Sequence, residues 1–136
     1  MVSQSFLYVG DLRCKATHGP SSADLTTDAP TDNQGRGESF SPTDLVVTAL
    51  ATCMLTTMGI AARKDQVVLD GARVYAEKHM SQDAPRRIVR IVIKIDFPPG
   101  IPERYRERLE HTARGCPVVR TLNPDVTLDE TFSYPD

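Results

Sequence analysis

The side chains most able to do chemistry in this chain are its three cysteines, Cys14, Cys53 and Cys116. Cys116 stands directly before Pro117, at the head of a short helical turn, and a helix N-terminus stabilises a thiolate. Its plainer reading is a small residue at a helix junction. Cys53 lies near the middle of the apolar segment Ser41–Lys64, too far from the helix end for the dipole to act on it. A buried cysteine there ordinarily packs as a small hydrophobe. Taken together, Cys53 and Cys116 sit on different helices at junctions of core elements. They would form a reversible disulfide if their Cα atoms came within about 7 Å. Cys14, between Arg13 and Lys15 on a strand, reads as structural.

The other reactive types are scattered. His18, His79 and His111 fall on a turn, a strand and a helix, without ligand spacing to one another or to a cysteine or carboxylate, so no metal site is expected. The "GRG" at Gly35–Gly37 lacks the spacing and the strong preceding strand of a phosphate loop. Arg36 within it sits in a polar loop just before the apolar helix, where it could reach over a thiolate. Its plainer reading is a solvated loop arginine. The run "ERYRERLEHTAR" is a solvated helix face laced with ion pairs. No cofactor is expected.

The elements that must position these residues are legible in outline. Ser5 to Thr17 reads as a strand, "THGPSS" as a turn and "ADLTTDAP" as a return strand, which makes an N-terminal β-hairpin. "TDNQGRGESF" reads as a polar loop with room for a short third strand. Ser41 fits a helix N-cap, with Pro42 at the first helical position and Asp44 at the third. The rows Val46/Leu50/Met54/Met58 and Leu45/Ala49/Cys53/Thr57/Ala61 give the helix a wide apolar face, and the small residues of the second row permit close approach of another element or subunit. Val67 to Met80 reads as a strand interrupted at Gly71. "RRIVRIVIKIDF" alternates, with Val89, Ile91, Ile93, Ile95 and Phe97 on the inner face. Glu103 to Arg114 reads as a helix with Tyr105 and Leu109 inside, Gly115 as its C-cap, a helical turn follows from Pro117, and "NPDVTLDETFSY" reads as a last strand. With no regular β-α-β alternation the class is α+β, in one domain over residues 1–136.

Composition narrows the function classes. The chain has 136 residues, 25% charged and 40% hydrophobic, with net charge −2, which carries no basic footprint for nucleic acid. There is no tryptophan, so stacking platforms for single strands are not expected. The N-terminus lacks the pattern of a signal peptide. The Ser41–Lys64 stretch holds several threonines and a glycine and reads as a core helix rather than a membrane span. An odd cysteine count without CxxC argues against a zinc site or disulfide scaffold, and a cytoplasmic protein with reduced thiols is expected.

Two segments, "FSPTDLVVTALATCMLTTMGIAARK" and "HTARGCPVVRTLNPDVTLD", resemble the cysteine-bearing helix and the CP element of the OsmC/Ohr family, in the same order and spacing. The opening "YVGDLRCKATHGPSSADLTTDAP" is most similar to the YhfA-like branch. The resemblance implies an OsmC-like fold: an N-terminal β region, a long central helix and a second β region with helices, built as an intertwined homodimer. It implies that Cys53 is the peroxidatic thiolate and Cys116 the resolving thiol of an organic hydroperoxide reductase recycled by a dithiol reductant. An alternative is a non-catalytic member that binds a small ligand or senses redox state. The family's catalytic arginine comes from the N-terminal β region, which leaves Arg36, the preferred candidate, and Arg13. Where peroxidase members carry a glutamate after the helix-opening proline this chain has Thr43, and Asp44 one residue later is turned by about 100°.

Overall fold

The computed structural model describes residues 1–135. The chain divides into two compact units, Met1–Val46 and Val47 onward. The first holds an antiparallel sheet of β1 (Gln4–Gly10), β2 (Arg13–His18) and β3 (Asp24–Asp28), in that order. The segment expected as one strand from Ser5 to Thr17 is therefore two strands. Asp11 and Leu12 both take positive φ, 52° and 60°, which is the conformation of a tight two-residue hairpin turn. The usual Asn-Gly signature is missing, and the alternation of Phe6, Tyr8, Leu12 and Cys14 hides the reversal. Thr31–Asn33 forms a 3₁₀ turn rather than a third strand.

Helix α1 (Pro42–Lys64) begins where expected. Ser41 Oγ accepts the Asp44 N–H (3.1 Å) while Asp44 Oδ2 accepts the Ser41 N–H (2.8 Å), a reciprocal capping box. On length and composition α1 could cross a membrane. In the second unit, however, its Leu50, Met54, Met58 and Ala62 are spent on a protein core.

That core closes on a second sheet, ordered β4 (Arg73–Met80), β5 (Ile88–Asp96), β6 (Thr127–Ser133). β4 and β5 run antiparallel, and β5 and β6 parallel. A parallel neighbour needs a crossover. Here α2 (Glu103–Arg114) and α3 (Pro117–Thr121) supply it. β4 starts later than expected: the chain turns at Gly71 (φ 91°), so Val67 to Ala72 is loop. β5 buries its every-second isoleucines as expected, and Val92 on the opposite face is buried as well. Ile91, Ile93 and Ile95 are buried against the α1 stripe, Leu109 and Ala113 of α2, and Cys116. Each large aliphatic side chain buried this way contributes about 1.5–3 kcal/mol.

Met54→Ala, at the centre of this cluster, is expected to cost about 2–5 kcal/mol in urea unfolding. Ser41→Ala is expected to cost about 1 kcal/mol through the lost cap. A Met54→Ala loss no larger than the Ser41→Ala loss would contradict this placement of the core.

Candidate functional site

The second unit brings Cys53 and Cys116 together. Both are free thiols; Cys53 is half-buried and Cys116 fully buried, and they lie near enough to shift each other's ionisation. α1 presents Cys53 one turn before Thr57. The Thr57 hydroxyl donates to the Cys53 carbonyl (2.7 Å) and lies 3.9 Å from its sulfur. Cys116 is the N-cap of α3, in the extended conformation that a cap requires.

The identity of the next residue decides where the helix amides go. Pro117 has no N–H, so the first amides that α3 can offer are those of Val118 and Val119. The Val118 N–H favours the anion of both thiols, and the Val119 N–H that of Cys116. Burial by itself would push the Cys53 thiol up. The Val118 N–H, the Cys116 S–H and Thr57 outweigh it and bring Cys53 below the ordinary thiol value. Cys116 moves the other way: burial raises it, and so do its hydrogen bond to Cys53 and the charge there, against the two amides. This is opposite to the helix-head argument for a Cys116 thiolate, one of the two readings that local sequence left open for that residue. The amide at the head of α3 serves a cysteine on another helix, while complete burial keeps Cys116 protonated.

The first unit holds the two arginines. Arg13 is committed: its guanidinium donates to Asp28 Oδ2 (3.3 Å) and pairs with Glu38. Arg36 is exposed, and among the described residues its guanidinium makes no hydrogen bond or ion pair. Asp44, the nearest acidic residue to the position of the family's glutamate, has its carboxylate on the Ser41 N–H. Cys14 pairs across strands with Tyr8 and Thr27. His18 meets Ser21 and His79 meets Glu77. No group of three or more metal-ligating side chains occurs among the described residues. The sequence reading missed the Val118 amide, whose signal is the Cys-Pro dipeptide, and the Asp28 and Glu38 carboxylates, for which no motif exists.

Comparison with known proteins gives this geometry a family. The model of OsmC-like proteins matches residues 35–131. The chain is 40% identical to a protein of Psychrobacter arcticus 273-4 provisionally described as an osmotic-stress-induced and detoxification-response protein; the match covers 98% of this chain and 96% of that one, with a TM-score of 0.92. Two more distant structures share the fold. One is the organic hydroperoxide resistance protein OsmC of Legionella pneumophila (TM-score 0.78, 14% identity, 98% and 96% of the two chains). The other is an organic hydroperoxide resistance protein of Elizabethkingia anophelis with crystallant-derived thiocyanate bound (TM-score 0.78, 12% identity, 99% and 96%). No curated protein matches the chain. The chain belongs to the OsmC family, and its α+β architecture of two sheets with helices is the OsmC-like fold.

If the Cys116 S–H helps hold the Cys53 thiolate, Cys116→Ala moves the pH dependence of Cys53 alkylation by iodoacetamide to higher pH. An unchanged or lowered midpoint would show that the thiol–thiol contact does not stabilise the anion.

Proposed function

We propose that this protein is a thiol-dependent peroxidase that reduces organic hydroperoxides through Cys53 and Cys116. The observation that carries the reading is the polarised cysteine pair: one thiol held toward its anion by an amide and a neighbouring S–H, and a second, protonated thiol in contact with it. Peroxidatic chemistry needs a nucleophilic thiolate and a resolving thiol within reach.

The Cys53 thiolate attacks the distal oxygen of the hydroperoxide. The O–O bond breaks, the alkoxide leaves and takes a proton as alcohol, and Cys53 becomes a sulfenic acid. The Cys116 sulfur then attacks that sulfenic sulfur, giving up its proton, and water leaves as the disulfide forms. An external dithiol restores both thiols by exchange and is itself oxidised to a disulfide. Arg36, preferred over the doubly paired Arg13, is the guanidinium with capacity left to stabilise charge on the peroxide oxygens. The apolar side chains around Cys53 favour bulky alkyl hydroperoxides over hydrogen peroxide.

The working form is a homodimer in the cytoplasm, without nucleic-acid or membrane partners. In the first unit β1 exposes Phe6 and Tyr8 on one face and Leu7 and Val9 on the other, apolar surface that a second copy would cover. In the second, α1 leaves Thr52, Thr56 and Ile60 exposed beside Cys53. A second reading, a non-catalytic ligand-binding or redox-sensing member, is favoured by one observation: the Asp44 carboxylate is taken up by the helix cap.

One equivalent of cumene hydroperoxide added to reduced protein is expected to remove two hydrogen atoms from the intact mass. In Cys116→Ser the expected product is a sulfenic or over-oxidised Cys53, and in Cys53→Ser no reaction. An unchanged wild-type mass, with all thiols countable after denaturation, would overturn the peroxidase reading in favour of the second.

A further inference from the structure

Helix α3 is a single turn of five residues, too short to hold its own shape in water. The joint that carries it is soft by composition. Gly115 ends α2 at φ −98° and ψ 7°, with no Cβ to restrict the peptide that follows. The bonds from α2 to the joint are long. The Gly115 N–H is shared between the His111 and Thr112 carbonyls (3.2 Å each), and the Cys116 N–H reaches the Ala113 carbonyl at 3.3 Å. The Gly115 carbonyl, an acceptor of the kind that a helix end leaves over, receives no backbone amide among the described residues.

Arg120 takes that carbonyl. Its Nε donates to the Gly115 oxygen (3.1 Å), while its own backbone N–H donates to the Cys116 carbonyl (3.2 Å). The two oxygens belong to the peptide units on either side of Cys116. One residue, reaching back by main chain and by side chain, therefore holds both planes that set the φ and ψ of Cys116, −64° and 151°. Pro117 confines Cys116 to the same extended region. The Arg120 guanidinium is exposed and has no other hydrogen bond and no carboxylate partner among the described residues. Its charge is not what polarises the cysteines: burial, the Val118 and Val119 amides, the Thr57 hydroxyl and the two thiols themselves account for both shifts. What the side chain contributes is a fixed direction for one peptide.

We propose that Arg120 is a positioning residue that braces the Gly115–Pro117 turn through the Gly115 carbonyl, and so holds Cys116 and the Val118 amide in place against Cys53. Its part in turnover rests on the proposed peroxidase reading; its part in the reduced pair does not. In turnover the Cys53 sulfenic acid has two fates. Cys116 attacks its sulfur and water leaves as the disulfide forms, or a second hydroperoxide oxidises it to the sulfinic acid and is itself reduced to an alcohol. A braced Cys116 favours the first.

Two neutral substitutions separate the hydrogen bond from the charge. In Arg120→Gln the side-chain Nε2 stands where the arginine Nε stood and still donates; in Arg120→Met a methyl group stands there. The full-length reduced proteins are titrated for Cys53 alkylation by iodoacetamide against pH, then treated with excess cumene hydroperoxide and weighed intact. Arg120→Met is expected to move the alkylation midpoint to higher pH, because the donors that favour the Cys53 anion are no longer held against it. It is also expected to raise the ratio of sulfinic to disulfide product about tenfold, the scale of one lost hydrogen bond to a charged group. Arg120→Gln is expected to stay near the wild type in both. A midpoint and a product ratio do not scale with the amount of folded protein, so a general loss of stability does not imitate them. Equal shifts in the Gln and Met variants would overturn the proposal in favour of the charge. A Met variant unshifted in either measurement would overturn the brace itself. A wild type inert to hydroperoxide would remove the peroxidase reading and the product ratio with it, and the alkylation midpoints of the two variants would then decide the brace alone.

Discussion

The chemistry proposed for this protein depends on one backbone amide. Val118 N–H is the first donor that α3 offers, because Pro117 has none, and it favours the thiolate of Cys53 on another helix. The five-residue helix contributes little stability of its own. Its value is directional: it places a fixed dipole beside a thiol that burial would otherwise hold protonated. Cys116, as N-cap, is carried to the same point by the same turn, so one local structure delivers both the amide and the resolving thiol.

The rest of the second unit holds that turn against α1. The turn sits in the crossover between parallel strands β5 and β6, and Cys116 is a member of the core cluster rather than an appendage to it. Leu50, Met54 and Met58 bury one face of α1 and leave Cys53 on the neighbouring row, half in the core and half open. A close-packed interior permits little adjustment. The position of Cys53 relative to Val118 is therefore set by the same contacts that hold the sheet and helices together.

Legibility in the sequence followed the strength of local signals. The α1 start was readable because Ser41, Pro42 and Asp44 each satisfy a distinct end-of-helix requirement, and all of the cap is local. The β5 inner face was readable from the isoleucines at every second position, 91, 93 and 95. The Asp11-Leu12 turn was not, since a leucine at positive φ carries no turn signature and the alternation runs through it. The cysteine polarity came only through the family resemblance and not from local signals, for a different reason. Sequence shows which residue heads a helix but not which neighbour its amides reach, and burial of Cys116 reverses the local expectation. The Asp28–Arg13–Glu38 cluster was invisible because its members are spread over two strands and a loop.

The central claim is the direction of polarisation between the two thiols, and differential alkylation measures it most directly. Reduced protein is pulsed with iodoacetamide at neutral pH, quenched, denatured, labelled with a heavy reagent and mapped by peptide mass. Early labelling of Cys53 with Cys116 protected is the predicted result. Labelling of Cys116 first, or of both at the rate of an ordinary exposed thiol, would contradict it.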